Sequence, residues 1–382
     1  MEKVYLDSAA TTQVRDEVIA KIQDCLVNCY GNPSSTHSFG RAAKTRVEQA
    51  RKTIAKQLNA KPSEIIFTSG GTEADNMILR CAVRDLGIQK LITSKIEHHA
   101  VLHTAEEIAR EYGLILQFVE LDEEGSPRLD HLEALLKADD SMKLVSLMHV
   151  NNEIGNMIDI DAFAQVCKDH GAVFHSDTVQ SVGHWEWDVQ KTQIDFLTAA
   201  AHKFHGPKGV GFAYIRKDSG LRPFIFGGGQ ERGSRAGTES LHNIVGLEEA
   251  FTLAYEHLEE ERKYVSELKS HFIKRLKEAL PDVKFNGNSA VEGKSTYTLV
   301  NTCLPFSAEK AQLLLFQLDM KGIACSKGSA CQSGSSAGSH VLREVLSEED
   351  LQKPSLRFSF SMFNTKEELD YVVEVLKEYA HS

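Results

Sequence analysis

Residues 195–216 read Asp-Phe-Leu-Thr-Ala-Ala-Ala-His-Lys-Phe-His-Gly-Pro-Lys-Gly-Val-Gly-Phe-Ala-Tyr-Ile-Arg. An apolar run over 196–201 leads to His202 and Lys203, and a Gly-Pro-Lys-Gly turn leads into a second apolar run over 210–215. This pattern predicts a buried strand, a sharp reversal and a returning strand. A lysine at the end of a buried strand is poorly solvated, so its pKa falls and its amine becomes able to form a Schiff base. A solvated lysine at a strand end would show the same local pattern, so the rest of the chain has to decide.

The composition limits the classes of function. The chain has 382 residues, enough for two domains, and its 42% apolar and 25% charged content is typical of a soluble globular protein. The net charge of -11 argues against a broad nucleic-acid-binding face and against anionic membranes. We see no secretory signal and no run of membrane-spanning length. The seven cysteines, an odd number without framework spacing, suit a reducing compartment and no metal site, so we expect a cytoplasmic protein.

Apolar runs alternate with helical patterns through the first two-thirds of the chain. The runs cover residues 65–68, 91–96, 114–121, 144–150, 172–174 and 196–201, and helical stretches include 100–111, 129–137 and 160–170. This alternation predicts an α/β fold with a mainly parallel sheet covered by helices on both faces. Ligands of such sheets bind beyond the carboxyl ends of the strands.

Polar residues follow several of these strands at the same edge of the predicted sheet. The four clusters are Glu97/His98, Asn151/Asn152, Asp177/Gln180 and His202/Lys203. Each one alone could simply cap a strand, but four at one edge predict the floor of a binding site.

A glycine turn over residues 69–76 follows the strand at 65–68 and opens a helix. Gly71 and Thr72 would lie at the helix N-terminus, where free N–H groups favour a phosphate. A plain glycine turn capped by Thr72 is the alternative.

The four polar clusters and the glycine turn together suit a pyridine ring that carries an aldehyde and a phosphate. Such a ring needs a lysine for the aldehyde, a carboxylate for the ring nitrogen, a donor to the phenolic oxygen, a flat group on the ring face and a binding site for the phosphate.

The remaining chain predicts a second domain. A Gly/Arg loop at 227–238 suggests an anion site or a subunit contact, and a long helix at 241–280 is expected to bridge the two domains. We place the large domain at 16–255 and the small domain at 1–15 and 256–382.

A Gly/Ser-rich segment at 322–339 carries Cys331, and we expect it to be flexible and to bring that thiol to a reactant; an incidental surface thiol is the alternative. Cys325 competes with it but is expected on a strand and buried.

With these stretches in order, the chain resembles the cysteine desulfurases of the NifS/IscS family, which are pyridoxal-phosphate enzymes of fold type I with a large mainly parallel α/β domain and a smaller α+β domain. The resemblance runs nearly end to end. Its motifs are Tyr5-Leu-Asp-Ser-Ala-Ala-Thr-Thr12, Asn32-Pro-Ser-Ser-Thr-His37, Phe67-Thr-Ser-Gly-Gly-Thr-Glu73, Glu97-His98, Asn151-Asn-Glu-Ile-Gly155, Asp177 with Gln180, His202-Lys203 through Gly209, residues 227–238, Gly328-Ser-Ala-Cys331 and Leu356-Arg-Phe-Ser359.

The resemblance implies a role for each matching residue. Lys203 would hold pyridoxal phosphate covalently, and Cys331 would accept sulfur from L-cysteine as a persulfide while alanine is released. The other implied contacts are His98 on the ring face and in proton transfer, Asp177 at the ring nitrogen, Gln180 at the phenolic oxygen, Gly71, Thr72 and His202 at the phosphate, Asn152 beside the cofactor, Arg357 and Asn152 at the substrate carboxylate, and Thr238 in the partner subunit's site of a homodimer.

The resemblance also implies a partner that receives the sulfur, either an iron–sulfur scaffold or a tRNA-thiolating enzyme. A selenocysteine lyase or an aminotransferase of the same fold is the alternative, and a scaffold without cofactor is a weaker one. Three departures stand out: Ala200 occupies a position where many members have a phosphate-binding serine, Ser361-Met362 replaces a common Gly-Arg, and Gln13 replaces a usual proline.

Overall fold

The structure is a computed structural model that describes residues 3–327 and 338–381. In chain order its strands are β1 (Val4–Tyr5), β2 (Ile65–Thr68), β3 (Lys90–Thr93), β4 (Ile115–Phe118), β5 (Lys143–Ser146), β6 (Val173–Asp177), β7 (Phe196–Ala200), β8 (Gly211–Ile215), β9 (Lys284–Phe285), β10 (Leu299–Cys303), β11 (Ile323–Ala324) and β12 (Ser355–Ser359). Its α-helices are α1 (Asp16–Asn28), α2 (Ser38–Gln57), α3 (Gly71–Asp85), α4 (His99–Tyr112), α5 (Leu129–Lys137), α6 (Ile160–Asp169), α7 (Leu241–Glu256), α8 (Leu258–Ala279), α9 (Ala308–Met320), α10 (His340–Val345), α11 (Glu348–Leu351) and α12 (Lys366–His381).

A seven-stranded sheet forms the centre of the larger part, in the order β2-β8-β7-β6-β5-β3-β4. The five strands from β7 to β4 are parallel, and β8 runs antiparallel to both of its neighbours. Successive residues of β7 face different cores: Phe196 packs with α3 and α4, whereas Leu197 packs with α2 and α7. The predicted α/β fold, with helices on both faces of a mainly parallel sheet, is confirmed.

The quoted stretch folds as its apolar pattern predicts. β7 and β8 pair from Phe196 with Ile215 to Ala200 with Gly211, and every residue of β7 is buried. Between them, Ala201–Lys203 forms a short 3-10 turn. Lys203 therefore lies just beyond the carboxyl end of a buried strand, beside the ends of the neighbouring parallel strands.

A second apolar core lies around a three-stranded sheet, ordered β12-β10-β9. The N-terminal segment joins this core, because β1 pairs in parallel with β11 and Val4 and Leu6 are buried there. The prediction of one helix over 241–280 is wrong: the chain breaks at His257 into α7 and α8. The reason is burial, since α7 packs Phe251 into the larger core and α8 packs Phe272 into the second one. The domain bounds stay a prediction.

A buried ion pair fixes the Gly/Arg loop against the main sheet. Arg51 makes two hydrogen bonds to Glu231, of 2.7 and 2.9 Å, and donates a third, of 2.6 Å, to the Ile65 carbonyl. The Glu231 carboxylate also accepts the Phe67 N–H. These contacts hold Glu231 in a left-handed conformation, with φ of 46°, that costs free energy for a residue other than glycine.

Across the described residues, none of the helices combines the length and apolarity needed to cross a bilayer.

Candidate functional site

A cavity of about 220 Å³ opens at the carboxyl edge of the main sheet. Loops that follow β2, β3, β5, β6 and β7 form its floor, and residues of the N-terminal segment and of β12 close it from the other side. The predicted residues that line it are Gly71, Thr72, His98, Asn152, Asp177, Gln180, His202, Lys203 and Arg357. The structure thus brings together predicted residues from six separate stretches of sequence, and Ala9 and Ala10 of the N-terminal segment add a seventh.

The Lys203 amine is held inside the cavity by the N-terminal segment. Its Nζ donates hydrogen bonds to the Ala9 carbonyl at 2.5 Å and the Ala10 carbonyl at 3.0 Å. The Gln180 amide donates to the same Ala9 carbonyl at 3.0 Å. The strand end and the N-terminal segment therefore position the amine together, which the local pattern around Lys203 did not reveal.

Asp177 is the last residue of β6 and is almost fully buried. Its carboxylate accepts the Val179 N–H at 2.9 Å. Burial, and then the charge of Asp75, raise the pKa of Asp177 to about 7. A cationic N–H opposite this carboxylate would favour its ionised form, which is the property required of a partner for a protonated ring nitrogen.

His98 supplies a flat neutral group at the same cavity. It caps the N-terminus of α4, where its Nδ1 accepts the Ala100 N–H at 3.2 Å. Burial, and then the positive charge of Lys203, lower the pKa of His98 to about 4. The imidazole is therefore uncharged near neutral pH and suited to stacking on an aromatic ring.

The N-terminus of α3 opens onto the cavity and is suited to an anion. α3 begins at Gly71, so its first N–H groups have no partner within the helix. A Cβ on Gly71 would lie 2.8 Å from Val179 Cγ2, too close for any other residue to fit without a shift. The Nδ1 atom of His202 is buried without a hydrogen-bond partner among the described residues, and an oxygen of a bound anion would supply one.

Arg357, on β12, lines the cavity and is 1% exposed. Its guanidinium donates to Asp7 Oδ1 at 2.9 Å and to the Asn152 carbonyl at 2.6 Å. A carboxylate from a substrate would therefore have to share this cation with Asp7. Sequence reasoning gave Asp7 no role, although it lies in the motif that begins at Tyr5.

Asp75 is a second residue that sequence reasoning missed. It lines the cavity, its side chain is 1% exposed, and its Oδ1 has no hydrogen-bond partner among the described residues. The signal was present, because Asp75 follows Gly71 by four residues and therefore lies on the same face of α3.

One predicted residue among those that the structure describes, Thr238, does not line this cavity. Thr238 lines a separate cavity of about 110 Å³ beside Phe67 and Gly209, so this chain does not bring it to Lys203. Cys331 lies outside the described residues. Its competitor Cys325 follows β11, and burial, then the charge of Asp7, raise the pKa of its thiol to about 12. A thiol with such a pKa is almost never a thiolate near neutral pH, which makes Cys325 a poor nucleophile.

The model of the aminotransferase class-V family matches residues 4–372. The chain belongs to this family. It is 40% identical over 377 residues to the cysteine desulfurase IscS of Dictyoglomus turgidum, an alignment that covers 98% of this chain and 94% of that relative. A solved NifS-like protein superposes with a TM-score of 0.90 at 34% identity, over 99% of both chains. SspA in complex with cysteine superposes with a TM-score of 0.81 at 31% identity, over 95% of this chain and 100% of SspA. The predicted relationship to cysteine desulfurases is confirmed.

Members of this class-V family use pyridoxal phosphate, and the cavity fits that cofactor. A lysine amine, a buried carboxylate and a helix N-terminus are available for the aldehyde, the ring nitrogen and the phosphate. The unpartnered Nδ1 of His202 is the observation that speaks most directly for the phosphate. How each residue contacts the cofactor stays a prediction.

Ala200 lines the cavity beside Gly71, at the end where we expect the phosphate. We expect Ala200→Ser to bind pyridoxal phosphate about 10-fold more tightly, because a charge-assisted hydrogen bond contributes about 1.5–3 kcal/mol. The dissociation constant of the apoprotein for the cofactor, from fluorescence titration, measures the gain. Ala200→Cys is the matched control, since it adds similar bulk with only a weak donor. Equal affinity of the serine and cysteine variants would show that the hydroxyl makes no contact with the phosphate.

Proposed function

We propose that this protein is a cysteine desulfurase, which converts L-cysteine to L-alanine and keeps the sulfur as a persulfide on Cys331. The reaction balances without an external oxidant or reductant, because the Cys331 thiol gains one sulfur atom and cysteine becomes alanine. The observation that carries the proposal is the single cavity in which Lys203, Asp177 and the N-terminus of α3 converge. The relatives support the choice of substrate, since one is called a cysteine desulfurase and another is solved with cysteine bound.

Pyridoxal phosphate, when bound, supplies a sink for the electrons of the substrate's α-carbon. We assign Lys203 to the aldehyde, Asp177 to the ring nitrogen, His98 to the ring face and Gln180 to the phenolic oxygen. Asn152 would lie beside the cofactor, and Gly71, Thr72 and His202 would hold the phosphate. The Lys203 amine, once released by substrate, would take the proton from the α-carbon, and the two carbonyls that it contacts would orient it for that transfer.

Arg357 and Asn152 would bind the substrate carboxylate. The fully buried guanidinium favours this role, because an arginine with little water around it attracts an anion strongly. Asp7 holds the same guanidinium, so it would keep Arg357 oriented before substrate enters. We assign the persulfide to Cys331 rather than to Cys325 because the raised pKa of the half-buried Cys325 thiol opposes its ionisation.

Three further parts of the proposal concern partners and organisation. Thr238 would complete the phosphate site of a second copy in a homodimer. Its position in a cavity separate from the one that contains Lys203 of the same chain favours this role. The sulfur would pass to an iron–sulfur scaffold or to a tRNA-thiolating enzyme. The cytoplasmic location and the domains at 16–255 and at 1–15 with 256–382 rest on the sequence alone.

The test is the product that the purified protein forms with pyridoxal phosphate and L-cysteine. We expect alanine and, with a reducing thiol present, free sulfide in equal amounts. The competing functions give different results: an aminotransferase would consume a 2-oxo acid and retain the sulfur in its product, and a selenocysteine lyase would release selenide from selenocysteine but leave cysteine unchanged. Either of these outcomes, in the absence of alanine from cysteine, would contradict the proposal.

A further inference from the structure

Arg357 lines the cavity with its charge already paired. Its guanidinium donates to Asp7 Oδ1 at 2.9 Å, and its side chain is 2% exposed, against 20% for Asp7. A buried guanidinium without a counter-ion is costly, so Asp7 stabilises Arg357 before a substrate binds. The pair carries no net charge, and it therefore attracts an anion less strongly than a lone arginine would.

One donor of Arg357 remains for a ligand. Its Nη1 donates to the Asn152 carbonyl and its Nη2 to Asp7, whereas its Nε is buried without a hydrogen-bond partner among the described residues. Asp7 does not line the cavity, so it holds the guanidinium from outside. A carboxylate inside the cavity would accept the Nε–H and would then share one cation with the Asp7 carboxylate, which repels it.

The backbone around Asp7 fixes this competitor in place. The Leu6 N–H donates to the Ala324 carbonyl at 2.8 Å, and the Leu6 carbonyl accepts the Ser359 N–H at 2.9 Å. The residue before Asp7 is thus bonded to β11 on one side and to β12 on the other. Asp7 therefore stays beside Arg357 when a ligand arrives, and a substrate carboxylate has to compete with it.

The Ser326 hydroxyl moderates this competition. It donates to Asp7 Oδ1 at 2.8 Å, the same oxygen that accepts from Arg357. Ser326 and Arg357 also exchange two backbone hydrogen bonds, of 2.7 and 3.2 Å, which hold the hydroxyl in position. A donor to a carboxylate offsets part of its charge, so Ser326 weakens the hold of Asp7 on Arg357.

We propose that Asp7 is a positioning residue that competes with the substrate carboxylate for Arg357 and so selects α-amino acids over plain carboxylates. A carboxylate alone gains little at the neutral pair, and a ligand occupies the site only when its amine also reaches the aldehyde of the cofactor. The same competition lowers the affinity for the product alanine. The proposal rests on the role assigned to Arg357 above.

The experiment compares three probes of the protein loaded with pyridoxal phosphate. L-Alanine carries both an amine and a carboxylate, ethylamine lacks the carboxylate, and propionate lacks the amine. The change in cofactor absorbance gives the dissociation constants of L-alanine and ethylamine, and competition with L-alanine gives that of propionate. Asp7→Asn keeps an acceptor oxygen but removes the charge. We expect it to lower the dissociation constants of L-alanine and propionate about 10-fold and to leave that of ethylamine within about two-fold.

Ser326→Ala is expected to change the affinity in the opposite direction. Without the hydroxyl, the full charge of Asp7 faces Arg357, so the dissociation constant of L-alanine should rise about three-fold while that of ethylamine stays the same. A general loss of structure would not produce opposite effects in two neighbouring variants. Asp16→Asn is the matched control, since Asp16 is an exposed aspartate at the start of α1, and all three dissociation constants should match wild type.

The possible failures can be separated. An Asp7→Asn protein that binds L-alanine no more tightly than wild type, or that gains as much affinity for ethylamine, would overturn the proposal. If Asp7→Asn does not fold, an unchanged affinity of Ser326→Ala for L-alanine would overturn it instead. If Arg357→Gln binds L-alanine as wild type does, the role of Arg357 is wrong and the proposal fails with it. None of these measurements needs turnover, so the predicted shifts in a protein that forms no alanine from cysteine would contradict the proposed function alone.

Discussion

Lys203→Ala is expected to lower the rate of alanine formation from L-cysteine by at least about 10³-fold, because one amine provides both the covalent link to the cofactor and the proton transfer at the α-carbon. No second amine for the covalent link lies among the described residues that line the cavity. Among the residues that line it, His98 and His202 have pKa values lowered to about 4 and make weak bases, and the Arg357 guanidinium pairs with Asp7.

The absorbance of the purified protein and its alanine production measure this effect together. Lys208→Ala is the matched control, since Lys208 lies five residues on in the same turn but is exposed to solvent. We expect that variant to keep the cofactor absorbance and the wild-type rate. An Lys203→Ala protein that retains a covalently bound cofactor after reduction with borohydride would show that another lysine forms the link.

Cys331→Ser is the second substitution with a large expected effect, a loss of at least about 10²-fold in alanine formation, because a serine hydroxyl does not ionise near neutral pH and is a poor nucleophile toward sulfur. The cofactor absorbance should be unchanged, since the lysine, carboxylate and phosphate-binding groups are intact. Addition of L-cysteine should still change the spectrum of the variant, because substrate binding precedes transfer of the sulfur.

Cys325→Ser is the control for this variant. The Cys325 thiol is half-buried and has a pKa raised to about 12, so its replacement should leave turnover within about two-fold of wild type. A Cys331→Ser protein that forms alanine at the wild-type rate would contradict the assignment of the sulfur acceptor. Loss of turnover in Cys325→Ser, with the fold intact, would move that assignment to Cys325.

Local patterns in the sequence were enough to predict the main sheet, because its strands are short, apolar and separated by helices of regular period. The break at His257 could not be predicted in the same way, since apolar residues continue at helical spacing from α7 into α8. The two helices are separated because each one packs against a different core. Packing partners are a tertiary property, and a periodic pattern does not name them.

In the candidate site, too, some residues could be predicted from the local sequence and others depend on tertiary contacts. Lys203, Asp177 and His98 each end or follow a strand of the parallel sheet, and the topology rule for such sheets brings them to one edge. Asp7 and Ala9 come from the other end of the chain, and their contacts with Arg357 and Lys203 depend on how the N-terminal segment lies across the cavity. Asp75 was visible as part of the glycine turn, but its burial without a cation was not.

The mass of the peptide that contains Cys331, measured after the purified protein with pyridoxal phosphate is incubated with L-cysteine, tests the proposed function most directly. The account predicts one added sulfur atom on Cys331, removed by a reducing thiol, together with one alanine for each sulfur. Alanine formed without added sulfur on Cys331, or no change in cysteine while Lys203 holds the cofactor, would contradict it.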